Sequence, residues 1–515
     1  MFRDSFRLMG ALSLVFFCAA LALPCASRAD GFATDELILK LGEGGDIDLI
    51  NAAWGTTVID LIPSRGIYLL RLSNPAIQDS MAIELDGVPE SEFCDYDYEG
   101  ISPEARRGIV IIAIGVNGTD VEDQGAMARV RKDEAHAIAT GAGTRVAILD
   151  TGVDIDHPFL AGRLDLAAGA DFVDNDAIPD DAANAIDDDG DGLTDAGAGH
   201  GTMVAGIIAT ISPDATIIPI RVLDDEGFGT VFRVMKGLYQ AADAGAHVIN
   251  LSLGSQNKSD AIEAVIHELH QRGITIVAAG GNDSTSTIQF PAQESEAIAV
   301  TSTDSADVKA AFANYSDKVD FTAPGVGVLS SFRDGGFGLG LGTSFSAPFV
   351  VGALALMHEI RPYTAPEIYE NWLGAGAVAI DWIPGNVPYA GELGAGRVDC
   401  LSPLLIALAA TDVPGGSSGN AGGESVTLLH ASPNPARDVA NVRFRLEHGA
   451  PARLEVFSVD GRRVHTQTLG VLPAGEHAVP FATRDESGRS LASGRYVYRV
   501  VTPSGTRSGN IAIVR

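Results

Sequence analysis

Four polar residues stand at breaks in apolar runs. They are Asp150 in RVAILDTG, His200 in GAGHGTMVAG, Asn282 in TIVAAGGND and Ser344 in GTSFSAP. A serine hydroxyl is a weak nucleophile alone. It needs a base to take its proton, a carboxylate to orient that base, and donors for the oxyanion that develops. The four residues supply one group of each kind. Ser344 and Ser346 precede the long apolar run FVVGALALM, and Pro348 falls where a helix best tolerates a missing N–H. A helix start beside Ser344 would offer unpaired backbone N–H groups and a positive dipole end.

These residues need a scaffold. TRVAILD, HVINLSLG, GITIVAAGG and EAIAVTST are apolar runs of strand length that end in polar or glycine turns. VFRVMKGLYQAADAG and SDAIEAVIHELHQRG have helical periodicity. Continuous apolar strands separated by helices predict an α/β fold, a parallel sheet covered on both faces. Such sheets gather their sites at the carboxyl ends of the strands, where Asp150, His200 and Asn282 fall.

DTGVDIDHP (150–158), GHGTMVAG (199–206), AAGGND (278–283) and GTSFSAP (342–348) together resemble the signatures of the subtilisin-like serine peptidases, in that family's order. The resemblance spans roughly residues 121–411. It implies that Asp150 orients, His200 is base and acid, Ser344 attacks, and Asn282 with the Ser344 N–H holds the oxyanion. It also implies a substrate pocket walled by Ser252, Leu253 and Gly254 and by 278–280, with Gln289 at its floor. Phe345 and Met203 depart from the family's usual methionine and histidine, and neither touches a catalytic role. No cofactor is expected for catalysis.

The implied function is a secreted serine endopeptidase, acting on protein or peptide substrates and processed from its own precursor. The alternatives are a peptide ligase or cyclase on the same fold, or a surface adhesin with an idle peptidase domain. A lone DTG also occurs in aspartic peptidases, but no second DTG or DSG exists here. HELH (267–270) lacks the histidine spacing of HExxH zinc peptidases and reads as an ordinary amphipathic helix.

The chain has 515 residues and a net charge of −32, which argues for several domains and against nucleic-acid or anionic-membrane partners. Arg3 and Arg7 precede the run LMGALSLVFFCAALAL, followed by Ser27-Arg28-Ala29. This reads as a Sec-type signal peptide, residues 1–29, with no membrane insertion after its removal. Cys18 and Cys25 leave with it, and Cys94 and Cys400 are too few for a disulfide scaffold.

Residues 30–125 read as a small α+β unit resembling the family's inhibitory propeptides, with INAAWGTTVIDLIPSRGIYLLRL as its helix and strand pair. The peptidase domain is expected over 126–411, a Gly/Ser linker over 412–424, and an all-β module over 425–515. In NVRFRLE the apolar residues Val442, Phe444 and Leu446 alternate with polar ones. Residues 426–515 hold 12 Arg, no Lys and 7 Asp plus Glu, a net of +5, so the remainder carries −37. This tail resembles the Ig-like C-terminal modules of bacterial secreted proteins, including sorting domains of the type IX route, which implies secretion machinery as a partner.

Asp187, Asp189, Asp191 and Asp195 have the spacing that starts a calcium loop, although Ala198 stands where a bidentate Glu is usual. No Lys or Arg occurs from Leu164 to Ile220. A structural calcium ion is the expectation, and a solvated acidic insert the alternative.

Overall fold

The computed structural model describes residues 32–410 and 426–513, apart from 43, 89, 103–109, 114, 188–191, 433–435, 438, 447, 459–462, 485–488, 493 and 503–504. The expected signal peptide and linker, and Asp189 and Asp191, lie outside the described residues.

Seven strands form one all-parallel sheet. In chain order they are β5 (Arg145–Asp150), β6 (Ala170–Asp171), β7 (Thr216–Arg221), β9 (Val248–Leu251), β10 (Thr275–Ala279), β11 (Ala297–Thr303) and β12 (Phe321–Pro324). In space the order is β12-β11-β10-β9-β5-β7-β6. Every residue of β9, β10 and β11 is buried, which is why these segments read as unbroken apolar runs. Successive side chains point to opposite faces. Val146 and Ile148 meet one core with helices α3 (His200–Ile211) and α6 (Ala347–Ile360). Ala147 and Leu149 meet the other with α4 (Val231–Asp243) and α5 (Asp260–Gln271). The segment Thr343–Ile360 has a mean hydropathy of 1.2, enough for a membrane span, but 89% of it is buried inside the fold. The apolar run after Ser344 is therefore a core helix.

The N-terminal unit is a sheet of β1 (Phe32–Leu41), β2 (Thr56–Ile62), β3 (Ile67–Leu72) and β4 (Ser91–Ile101), with helices α1 (Ile47–Trp54) and α2 (Gln78–Asp86). Its strand order is β2-β3-β1-β4, and β4 continues antiparallel onto β8 (Phe228–Thr230) of the large domain. Two buried carboxylates on alternate residues of β4 reach the large domain's helix starts. Asp97 accepts the Phe232 N–H at 2.8 Å in the first turn of α4. Asp95 accepts the Ala261 N–H at 3.0 Å and the Ser259 hydroxyl at 2.7 Å at the start of α5. These N–H groups have no partner within their own helices, so each carboxylate acts as a cap supplied from another unit. Burial pushes the Asp97 carboxyl up to about 7.

The C-terminal module is two antiparallel sheets. One comprises β13 (Val426–Ser432), β14 (Val439–Leu446) and β17 (Gly475–Ala482). The other comprises β15 (Ala450–Ser458), β16 (Arg463–Leu472), β18 (Gly494–Thr502) and β19 (Gly505–Ile513). Along β14 exposed and buried residues alternate, with Val442, Phe444 and Leu446 inside, as the sequence pattern predicts.

At the far end of α6, the His358 ring stacks on His247 with centroids 3.9 Å apart. His247 Nδ1 accepts the Arg145 N–H at 3.0 Å, and His358 Nδ1 lies 3.3 Å from the Thr144 hydroxyl. Burial, reinforced by His247, pulls His358 down to about 4. Burial and the Arg145 charge lower His247 as well. A histidine in the unfolded chain titrates near 6.5. At this pair the unfolded state takes up protons that the folded state refuses, so the pair's own contribution to stability falls as pH drops from about 6.5 toward 4. One such proton costs about 1.4 kcal/mol per pH unit across that window. Buried carboxyls such as Asp97 contribute in the opposite sense in both chains, so the difference in thermal stability between the Ser344→Ala chain and its His358→Phe derivative should change with this slope. Parallel profiles for the two chains would show that the pair is not the cause.

Candidate active site

Asp150 ends β5, and the chain turns at once through Thr151 and Gly152. Its Oδ1 lies 2.7 Å from His200 Nδ1 and accepts the Thr151 N–H at 2.8 Å. His200 is the first residue of α3, and both side chains are buried, at 3% and 0% exposure for His200 and Asp150. This approach depends on Gly201. A Cβ there would lie 2.0 Å from the Gly152 carbonyl oxygen and 3.0 Å from Asp150 Cβ. No side chain at 201 lets α3 come this near the end of β5.

The His200 ring packs against Phe345, centroids 5.3 Å apart, which brings the imidazole to the turn that carries Ser344. The sequence places Ser344 at the first turn of a helix. The structure puts it in a separate short turn, Thr343–Phe345, and α6 begins at Ala347 with Pro348 in its first turn. The Ser344 carbonyl accepts the Ser252 hydroxyl at 2.8 Å, and Ser344 Oγ lies 3.3 Å from the Ser252 carbonyl oxygen. Asn250 Nδ2 in turn donates to Ser252 Oγ at 2.9 Å. The strand β9 and the segment after it thus hold the serine turn from below.

Asn282 follows β10. Its Oδ1 accepts both the N–H and the hydroxyl of Thr343, each at 3.0 Å. A backbone N–H can only donate, so the amide oxygen must face Thr343 and the amide nitrogen is turned the other way. Thr343 Oγ1 also accepts the Gly281 N–H at 3.0 Å. Thr343 is therefore a clamp on Asn282 that residue-by-residue reading overlooks. Its signal was present in the tripeptide GTS.

Gln289 is buried between the two predicted walls. A Cβ on Gly254 would meet its Oε1 at 2.4 Å, and one on Gly281 would meet its Cδ at 2.8 Å. The backbone is held there by Gln289 N–H to the Gly280 carbonyl at 2.9 Å and by paired bonds between Phe290 and Ser255. Gln289 Nε2 donates to Asp283 Oδ2 at 2.9 Å, a partner that sequence reading did not name. Gln289 Oε1 is buried and has no hydrogen-bond partner among the described residues.

Asp195 points elsewhere. Its carboxylate accepts the N–H groups of Asn184 and Ala185 at 2.9–3.1 Å, and Asp225 Oδ2 accepts the same Asn184 N–H at 3.1 Å. Asp187 Oδ2 accepts the Gly192 N–H at 3.0 Å. Among the described residues no three His, Cys, Asp or Glu side chains are grouped to hold a metal ion.

A family model described as the subtilase family matches residues 141–384, and one described as a FlgD Ig-like domain matches 434–506. Thermitase of Thermoactinomyces vulgaris is 37% identical over 239 residues, 44% of this chain and 80% of the relative. Subtilisin BL of Lederbergia lenta is 36% identical over 246 residues, 46% of this chain and 84% of the relative. The crystal structure of fervidolysin from Fervidobacterium pennivorans, a keratinolytic enzyme related to subtilisin, shares the fold. Its TM-score is 0.60 at 20% identity, over 94% of this chain and 77% of that one.

For a peptide held at Ser344, Asn282→Ala should lower kcat by about 10²–10³ and leave KM nearly unchanged, a magnitude carried over from side-chain oxyanion donors of this type. Steady-state kinetics on a chromogenic peptide check it. An unchanged kcat would put the donor elsewhere.

Proposed function

The chain belongs to the subtilase family of serine peptidases, and on that premise we propose that it is an exported endopeptidase, made as a precursor that it cuts itself. The observation that carries the reading is the buried contact of His200 with Asp150, beside the turn that holds Ser344. In the proposed reaction Ser344 Oγ attacks the scissile carbonyl while His200 Nε2 takes the hydroxyl proton. Asp150 keeps the other ring nitrogen protonated and supports the imidazolium that forms. Asn282 and the Ser344 N–H receive the oxyanion. On collapse His200 passes its proton to the departing amine. Water then enters by the same route and frees the acyl group from Ser344.

Self-processing is supported by where β4 leads. Its end lies antiparallel to β8, with Glu99 opposite Thr230, Gly100 opposite Gly229 and Ile101 opposite Phe228. A Cβ on Gly100 would lie 3.9 Å from both the Gly229 and the Gly254 carbonyl oxygens. The end of β4 thus lies beside β8 and within reach of the Gly254 carbonyl, next to residues proposed to receive a substrate. We place the cut between about Glu99 and Ala128. In a secreting host, the parent recovered from the medium should begin within that span. The Ser344→Ala chain should begin near residue 30 and stay uncut. A Ser344→Ala chain that matures normally as a purified protein would overturn self-processing.

The side chain before the scissile bond is proposed to enter the slot between Ser252–Gly254 and Ala278–Gly280. Gln289 fills its base, so large aromatic residues should fit less well than small or polar ones. Gln289→Gly should deepen the slot and shift selection toward Phe. One or two methylenes of contact are worth about 1–3 kcal/mol, roughly 10–200-fold in kcat/KM. Profiling both enzymes on a peptide library checks this. A parent that already prefers Phe, with no shift in the variant, would remove Gln289 from the pocket.

A structural calcium ion remains a proposal for the acidic insert, carried by the spacing of Asp187, Asp189 and Asp191 and the lack of nearby cations. Asp195, turned inward, is not among its ligands. Calcium should then raise the melting temperature by mass action, and chelator should lower it. Superimposable melting curves would dismiss the ion.

A further inference from the structure

Asp181 lies in the loop before α3 and is 5% exposed. Its Oδ1 accepts the Thr151 hydroxyl at 3.0 Å and the Gly199 N–H at 2.8 Å. Its Oδ2 accepts the Thr202 hydroxyl at 2.6 Å and the Thr202 N–H at 3.1 Å. Thr151 directly follows Asp150. Gly199 and Thr202 bracket His200. One side chain therefore ties the turn after Asp150 to the start of the helix that carries His200.

The hydrogen bonds also fix the direction of each proton. Thr151 Oγ1 already accepts the Gly201 N–H at 3.1 Å, and Thr202 Oγ1 accepts the Asp154 N–H at 2.9 Å. Neither N–H can accept, so each hydroxyl has its own proton free to donate, and each donates it to Asp181. Both Asp181 oxygens are acceptors, and the arrangement calls for a carboxylate. Burial pushes this carboxyl up to about 6, with the Asp150 charge adding to the effect, and the donors from Thr202 and Gly199 oppose it.

We infer that Asp181 is a positioning residue of the catalytic centre: by binding Thr151 on one side and the first turn of α3 on the other, it sets the contact between Asp150 and His200. This rests on the peptidase reading above. Asp181 touches neither substrate nor reacting atoms in this arrangement. Its effect passes through the backbone on both sides of His200 and through Thr151, whose N–H is on Asp150.

Asparagine has the same shape but only one acceptor oxygen. Its amide nitrogen would face either Thr202 or the Gly199 and Thr151 donors, leaving donor against donor in a buried site. A displacement of about 1 Å at a reacting group can cost about 10²-fold. The test uses the full chain and measures two things: the first-order rate of precursor self-cleavage, and kcat and KM of the matured enzyme on one peptide. Asp181→Asn should slow self-cleavage by about 100-fold and lower kcat to a similar degree, with KM within about twofold. Thr202→Ser keeps the hydroxyl and should retain at least half of the parent kcat, while Thr202→Val should lose about tenfold. The melting temperature of each variant in the Ser344→Ala background separates loss of fold from loss of alignment.

A folded Asp181→Asn enzyme with parental kcat would overturn the inference. So would equal kcat for the Ser and Val variants at 202, which decides the matter if Asp181→Asn fails to fold. If the parent itself neither matures nor cleaves any peptide, the peptidase reading falls first and this inference with it. Parental activity with insensitive variants counts against Asp181 alone.

Discussion

A buried carboxylate needs donors aimed at it, and the end of β5 is arranged to supply them to one of the two Asp150 oxygens. Asp150 is fully buried and receives the His200 ring and the Thr151 N–H on one oxygen. Those donors sit on a turn and on the start of α3, so both must be held in place. The glycine at 201 permits the approach and the all-parallel sheet supplies the platform. In open sheets of this kind strand ends converge on one edge, and β5, β9 and β10 deliver Asp150, Ser252 and Asn282 to the same side.

The serine side is held by the same economy of paired groups. Thr343 locks the amide of Asn282, and Ser252 exchanges hydrogen bonds with Ser344. Each of these residues is buried, and the contacts run from 2.8 to 3.3 Å. Rigid support of this kind removes alternative rotamers before a substrate arrives, so little reorganisation is left for the reaction itself. Behind the serine, α6 is buried from Ala347 to His358, and its fixed position fixes the turn that precedes it.

The N-terminal unit is joined to the large domain by electrostatics as well as by a strand. Asp95 and Asp97 reach two helix starts whose N–H groups have no partner within their own helices, and β4 then runs on as a neighbour of β8. Burial makes the charged form of Asp97 costly, while the helix N–H favours it. Such a contact is strong when formed yet leaves two exposed helix ends when broken.

The sequence by itself determined the chemistry and the layering of the main domain. Asp150, His200, Asn282 and Ser344 were legible because glycines and small residues flank them in fixed local patterns. The strands were legible because burial on both faces demands unbroken apolar runs, and β14 because burial on one face demands alternation. The fold alone decided which residues of the acidic stretch 180–195 turn inward. Asp181 and Asp195 look like their neighbours in the sequence, yet each is buried against backbone N–H groups that a loop closure brings to it, Asp195 from 10 residues away and Asp181 from 18. Gln289 acquired its partner Asp283 in the same way, across a loop whose geometry no periodicity reports. Local pattern encodes which faces avoid water. Which particular donor meets a given carboxylate or amide depends on chain closure over tens of residues, and that exists only in the folded molecule.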